Sequence, residues 1–198
     1  MTEIPEKLTY MRKDDTGPDE MVIRHCAPTL ASIKTGSLFS CPCESEEEVI
    51  HGVRELNQRL CSKGLRVLTL RRRDGKCLVY VYRPQKLAHD LSDEHARCIL
   101  ADLNYPSGNP GRCLRHLLKR LRTSKEFPHE IGLFLGYPPE DVEGFICRKE
   151  EAKCVGCWKV YSDVERAQRL FTQYEHCTNI YLRQYAQGKC IERLTVAV

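Results

Sequence analysis

A chain of 198 residues, 41% hydrophobic and 29% charged, is an ordinary globular mixture. A chain of that length buries roughly 70% of its unfolded surface without help from a disulfide or a metal. The net charge of +4 argues against a nucleic-acid-binding domain, which concentrates far more positive charge, and leaves phosphates and acidic partners open. No apolar run is as long as a membrane span, and the start MTEIPEKLTYMRKDD lacks the apolar segment of a secretory signal, so a soluble cytoplasmic protein is expected.

Residues 1–20 read as a flexible segment, because Thr2 to Glu20 is polar and carries Asp14, Asp15, Gly17 and Pro18; residues 21–198 read as one globular domain. The first clear helix starts at Ser45, where Ser45 and Glu48 form a capping box and Val49, Val53, Leu56 and Leu60 recur at helical spacing until Lys63-Gly64. A hairpin follows: Leu65 to Leu70 and Cys77 to Tyr82 flank Asp74-Gly75, the favoured type I′ turn. Counting outward from that turn pairs Leu70 with Val79, Thr69 with Tyr80, Leu68 with Val81 and Val67 with Tyr82, and leaves Arg71, Arg72 and Arg73 at the tip.

Ser92 reads as the cap of a second helix with Ala96, Ile99, Leu100 and Leu103 inward, and NYPSGNPG breaks the chain after it. Asn109 and Pro110 suit the N-cap and first position of a third helix. Its inner face is Leu114, Leu117, Leu118 and Leu121, and its outer face is the basic stripe Arg112, Arg115, Lys119 and Arg122. Ile131 to Leu135 reads as a short buried strand, Glu140 to Ile146 as a short helix, and Val155 to Tyr161 as a strand holding the one tryptophan, Trp158. Ser162 and Glu165 suggest a cap for a long helix lined by Leu170, Tyr174, Cys177, Tyr181 and Tyr185 and stopped by Gly188, while Ile191 to Val198 fits a short helix or an edge strand. The pattern predicts an α/β chain of mixed α+β type, with a single mixed sheet of about four to five strands, one antiparallel hairpin in it, and helices on its faces.

Three groups of residues could carry chemistry. His25-Cys26, with Lys34 downstream, joins an imidazole, a thiol and an ammonium, and a thiol becomes nucleophilic when a cation or imidazole lowers its pKa. His129-Glu130 stands at the mouth of the expected strand 131–135, where His129 could act as a base or ligand; strand alternation would turn Glu130 to the other face. Paired across the chain, Cys26 and His129 would make a nucleophile and its base.

The third group comes from the twelve cysteines. Without an export signal they do not read as a disulfide framework. Cys77, Cys98, Cys113 and Cys177 fall among apolar positions and suit small buried hydrophobes. Cys41-Pro42-Cys43, Cys147, and Cys154 with Cys157 are the candidates for metal, the last pair having knuckle spacing but no second such pair nearby. There is no Walker loop, G-x-G-x-x-G, H-E-x-x-H or G-x-S-x-G.

The phrases HCAPTLASIKTGSLFSC, FPHEIGLFLGYPPEDVEGFI and GCWKVYSDVERAQRLF together resemble an uncharacterised domain-of-unknown-function family of anaerobic, clostridial-type bacteria, over about residues 25–198. The resemblance implies one such domain in a bacterial cytoplasm, loosely in iron-uptake and flavodoxin-type surroundings, and implies no established activity. It places weight on His25, Pro28, Thr29, Lys34, His129, Glu130, Gly132, Gly136, Tyr137, Gly156, Trp158, Lys159 and Tyr161, and not on Cys41, Cys43 or Cys157.

The leading expectation is a binding or accessory protein for a redox cofactor, haem or metal, drawing on His25, Lys34, His129, Glu130, Tyr137 and Lys159. The competitors are a small-substrate enzyme using Cys26 and His129, and a protein-interaction module using the basic helix. A small molecule or a redox partner protein is the expected partner.

Overall fold

The computed structural model describes residues 17–43, 45–124, 126–147 and 151–198, which divide into two compact units: residues 17–84 with 173–198, and residues 85–172. Of the segment expected to be flexible, residues 1–16 lie outside the described residues. Pro18 to Glu20 form the first turn of helix α1 (Pro18–Leu30). Pro18 costs nothing there, since the first N–H groups of a helix lack intrahelical partners, and Asp19 and Glu20 complement the dipole. Pro28 sits in the last turn, and Ser32, at φ 60°, turns the chain so that Ile33 and Lys34 both donate their N–H to the Pro28 carbonyl (3.0 and 3.1 Å).

Strand β1 (Gly36–Pro42) leads to helix α2 (Glu46–Leu60), whose Ser45 cap accepts the Glu48 N–H as its motif predicts. A 3-10 turn, Cys61–Lys63, ends on left-handed Gly64, and β2 (Arg66–Arg73) and β3 (Lys76–Tyr82) follow. Asp74 and Gly75 both have positive φ (50° and 69°), as a type I′ turn requires. The three strands form an antiparallel sheet in the order β1-β3-β2.

None of the four expected hairpin pairs forms, although Arg71 opposite Leu78 continues the count from the turn. A bulge at Leu70 then shifts it by one, so that Val67 faces Val81, Leu68 faces Tyr80 and Thr69 faces Val79. Burial explains the bulge. Val67 and Leu70 lie three apart, which a regular strand would send to opposite faces, yet both are fully buried. The core of this unit joins Val22, Ile23 and Leu30 of α1, Leu56 and Leu60 of α2, Phe39, Val67, Val79 and Val81 of the sheet, and Ile191 with Leu194 from the end of the chain.

The second unit is mostly helical: α3 (Pro84–Asp90), α4 (Glu94–Asp102), α5 (Pro110–Thr123), α6 (Ile131–Phe134) and α7 (Pro139–Cys147). Asp93, one residue beyond the expected Ser92, caps α4 by accepting the Ala96 N–H (2.9 Å), and Asn109 caps α5 as predicted. The strands β4 (Cys154–Val155) and β5 (Lys159–Val160) make a small antiparallel hairpin. Helix α8 (Val164–Ala186) is introduced by Asp163, whose side chain accepts the Arg166 N–H, and its residues from 173 onward belong to the first unit. Helix α9 (Ile191–Leu194) resolves the tail as a short helix.

The expected single sheet of four to five strands is therefore corrected to two separate antiparallel sheets, of three strands and two. Two misread segments account for it. Residues 131–135 form a helical turn, with Ile131 N–H on the Pro128 carbonyl and Leu133 N–H on the Glu130 carbonyl, ended by Gly136 at φ 76°. An apolar run this short carries no period that separates helix from strand. In 155–161 the Gly156 N–H bonds the Trp158 carbonyl (3.0 Å), folding an expected single strand into a hairpin. Among the described residues no helix is long and apolar enough to cross a membrane.

Candidate functional site

In the first unit, the imidazole of His25 lies flat against Phe39 of β1 (centroids 5.3 Å apart, planes at 6°). Its Nε2 is buried without a hydrogen-bond partner, and burial, helped by Arg24, lowers its pKa, so the ring is held neutral. The next residue, Cys26, has no exposed surface. Burial pushes its thiol up to about 12, against the smaller opposing pulls of Lys34 and a hydrogen bond to Ser37. Thr29 and Ser37 join their hydroxyls at 2.9 Å, and the Lys34 ammonium lies 5.8 Å above the Tyr174 ring. This neighbourhood is packed rather than open, and its thiol is protonated at neutral pH. The chemistry of a nucleophile needs the reverse.

Arg83 explains the order of this region. It is almost wholly buried and has no carboxylate partner among the described residues. Its Nε donates to the Thr29 carbonyl (2.7 Å), and its Nη atoms donate to the carbonyls of Lys63 (3.1 Å), Leu30 (2.7 Å) and Val196 (2.8 Å). The bonds to Thr29 and Leu30 give a second donor to carbonyls at the end of α1, where the helix dipole also favours a cation. Burial lowers its pKa, but a guanidinium stays charged even so.

In the second unit, His129 and Glu130 part company as the sequence reading expected, though through a helical turn rather than strand alternation. Glu130 is buried, accepts the Tyr105 hydroxyl (2.7 Å), and pairs with Arg120 of α5 (2.9 Å). Burial and this bond raise the Tyr105 pKa, so Tyr105 remains a donor. Glu130 thus serves the interior. His129 instead meets the edge of Phe145 of α7 (4.8 Å, 84°), and the ammonium of Lys159 from β5 stands 5.6 Å from the same ring. Phe145 and His129 are half-buried and Lys159 is exposed.

Asp141 supports this cluster from behind. Its buried carboxylate accepts the Trp158 indole N–H, the backbone N–H groups of Tyr161 and Ser162, and the Ser162 hydroxyl, each at 2.8 Å. One side chain of α7 thereby fixes both ends of β5. Tyr137 stacks on Trp158 (4.7 Å, 26°) and its hydroxyl donates to the Cys157 carbonyl (3.3 Å), while Phe171 meets Trp158 edge-on (4.6 Å). Gly132, Gly144 and Gly156 permit the close approach, since a Cβ at each would collide with Val142, Tyr161 and Phe171 respectively.

The cysteine candidates separate. Cys154 is half-buried and Cys157 exposed across the small hairpin turn, Cys147 is exposed at the end of α7, and among the described residues no three His, Cys, Asp or Glu side chains are grouped to hold a metal. Two thiols alone leave half of a tetrahedral site unfilled. Cys77 and Cys113 are buried as expected and Cys177 is half-buried, but Cys98 is exposed on α4. The basic stripe Arg112, Arg115, Lys119 and Arg122 is exposed along α5.

Sequence reasoning named His129, Tyr137 and Lys159 but missed Phe145, on which two of them converge, and Asp141, which holds the residues flanking Lys159. The signal for Asp141 was present in Pro139-Glu140-Asp141, an acidic helix start; its partners, seventeen and more residues on, carried none.

The two units define an α+β protein with a packed, thiol-bearing sheet unit and a helical unit carrying an aromatic and cationic cluster on its surface. A family model described as a protein of unknown function (DUF3793) matches residues 22–195, nearly the whole chain, and the protein belongs to that family. No curated protein and no solved structure matches it.

Proposed function

We propose that this protein is a binding module for a flat aromatic ligand that carries an anionic group, the chemistry shared by flavin nucleotides and haem, and that His129, Phe145 and Lys159 receive it. One observation carries the reading: an imidazole from a turn and an ammonium from a strand converge on one half-buried phenyl ring. A phenyl ring offers stacking area, and an exposed ammonium beside it offers a counter-charge for phosphate or carboxylate. The hydrogen bonds of Asp141 hold β5 against α7, so the cluster is set before a ligand arrives, which lowers the entropy cost of binding. This sharpens the expectation of a cofactor-binding or accessory protein and favours an organic cofactor over a bare metal, for which the described side chains offer no grouped ligands.

The enzyme reading draws no support from Cys26, whose thiol is inaccessible and held protonated. The test is a titration of the protein with flavin mononucleotide and, separately, with haem, followed by the fluorescence of Trp158, the single tryptophan. Saturable quenching is expected with at least one of them. Lys159→Glu and His129→Ala should each weaken it about tenfold or more, as loss of a charged or stacking contact does, with unchanged melting. Absence of saturable binding by either ligand overturns the proposal.

A further inference from the structure

Helix α5 is the one charged α-helix among the described residues that carries no acid, and the sequence holds no Asp or Glu between Asp102 and Glu126. Its positions Cys113, Leu114, Leu117 and Leu121 are buried, and Arg112, Arg115, Lys119 and Arg122 are exposed on the opposite side. At 3.6 residues per turn those four lie within an arc of about 80° and run about 15 Å along the axis. Each neighbouring pair is three or four residues apart, the spacing at which like charges repel. Arg112 also stands in the first turn, where the helix dipole disfavours a cation. Elsewhere ion pairs offset such charges: Arg24 meets Glu20, Arg169 meets Glu165, and half-buried Arg120 of α5 itself meets Glu130. None of the four exposed cations has an ion pair among the described residues. Packing uses only the inner face, so the single-sign outer face carries a repulsion that no contact within the described chain offsets.

We propose that this face of α5 docks an acidic helix of a partner protein, whose carboxylates recur at the same three- and four-residue spacing. Three of the four cations are arginines, and a guanidinium meets a carboxylate through two parallel N–H···O bonds. Other polyanions fit less well. An amphipathic helix holds a membrane surface through its apolar face, and here that face is buried. Nucleic acid is held by stacking on exposed rings or by far more charge than a net +4. The one ring of α5, His116, is tilted onto Tyr105 (4.4 Å). Exposed ion pairs without an apolar centre make a transient, salt-sensitive interface. This docking does not rest on a ligand at His129, so either proposal can fail alone.

The experiment titrates the isotope-labelled full chain with a synthetic alanine-rich helix bearing glutamates at the spacing of the stripe, and follows backbone amide shifts. A peptide of the same composition with its glutamates scattered around the helix, a duplex oligonucleotide and phosphatidylserine vesicles are titrated in parallel. Saturable shifts centred on residues 112–122 are expected, weakening as salt is raised, with the matched peptide binding about tenfold more tightly than the scattered one. Arg115→Glu with Lys119→Glu should abolish those shifts and instead bind the corresponding lysine helix, at unchanged circular dichroism. The milder pair Arg115→Gln with Lys119→Gln, which introduces no new charge, should weaken binding about tenfold. Absence of saturable shifts, equal binding of the two peptides, tighter binding of the oligonucleotide or the vesicles, or full binding by the neutral pair overturns the proposal.

Discussion

The two units solve the same problem with opposite charges. In the sheet unit a buried cation, Arg83, donates to four main-chain carbonyls from α1, the 3-10 turn and the tail. In the helical unit a buried anion, Asp141, accepts four donors from β5 and its flanks. Neither has an oppositely charged side-chain partner among these bonds, so each charge is stabilised by backbone and neutral dipoles. The difference lies in what is gained. Arg83 closes off the ends of a hydrophobic core, and in the same unit Cys26 has no exposed surface and His25 is half-buried against Phe39. Asp141 sits behind a surface, and the groups it orders, around Lys159, Phe145 and His129, face outward or half outward. The sealed thiol of Cys26 in one unit, and the meeting of His129 and exposed Lys159 on Phe145 in the other, are the basis for placing the ligand site in the helical unit.

That contrast can be broken by mutation, most sharply at Asp141. Asp141→Ala leaves four donors without their acceptor and should cost about 3–5 kcal/mol in urea unfolding, with Asp141→Asn costing less because it retains an acceptor oxygen. A loss under about 1 kcal/mol would mean that water replaces the carboxylate easily and that β5 is not held by it. Arg83→Met, of similar length, removes the guanidinium donors from the carbonyls of Thr29, Leu30, Lys63 and Val196, of which Thr29 and Leu30 keep a backbone donor each, and should cost about 2–4 kcal/mol. Arg83→Lys should recover only part of that, since one ammonium cannot reproduce the spread of a guanidinium.

The two remaining expectations concern acid. His25 has its pKa lowered below 6.5 by burial, so the unfolded chain takes up its proton first, and stability is lost as pH falls below about 6.5. His25→Phe, which preserves stacking on Phe39 and removes the unpartnered nitrogen, should flatten that slope in a melting-temperature series. Glu192, which bonds Arg59 as Asp19 also does, has its carboxyl lowered to about 2 from 4.5. Its contribution is present above pH 4.5 and lost as pH falls through 2. A third of its side chain is exposed, so the effect stays below about 1 kcal/mol, and Glu192→Gln should show a correspondingly small loss at neutral pH and a shallower acid slope.

Much of the fold was legible wherever a local rule fixes structure. Ser45 with Glu48, Asn109 with Pro110, Asp74-Gly75 and Gly188 each act within a few residues, and each does in the structure what the sequence says. What failed depended on distant partners. The bulge at Leu70 exists because the core needs Val67 and Leu70 together, and α1 went unread because Pro18 and Pro28 look like breaks when their helix is not known. Cys41 and Cys77 seemed unrelated until the register of β1 on β3 set them opposite each other. The candidate site was half legible: His129 and Lys159 stood out as residue types, whereas Phe145 looked like any apolar helix position.

The most direct measurement of the central claim is an imidazole-region proton–nitrogen correlation spectrum, with and without saturating flavin mononucleotide or haem, whichever binds. The account predicts that the His129 resonances shift while those of His25, stacked on Phe39 in the other unit, stay in place. A spectrum in which His129 does not move, or in which His25 moves instead, would contradict the assignment of the ligand surface to His129, Phe145 and Lys159.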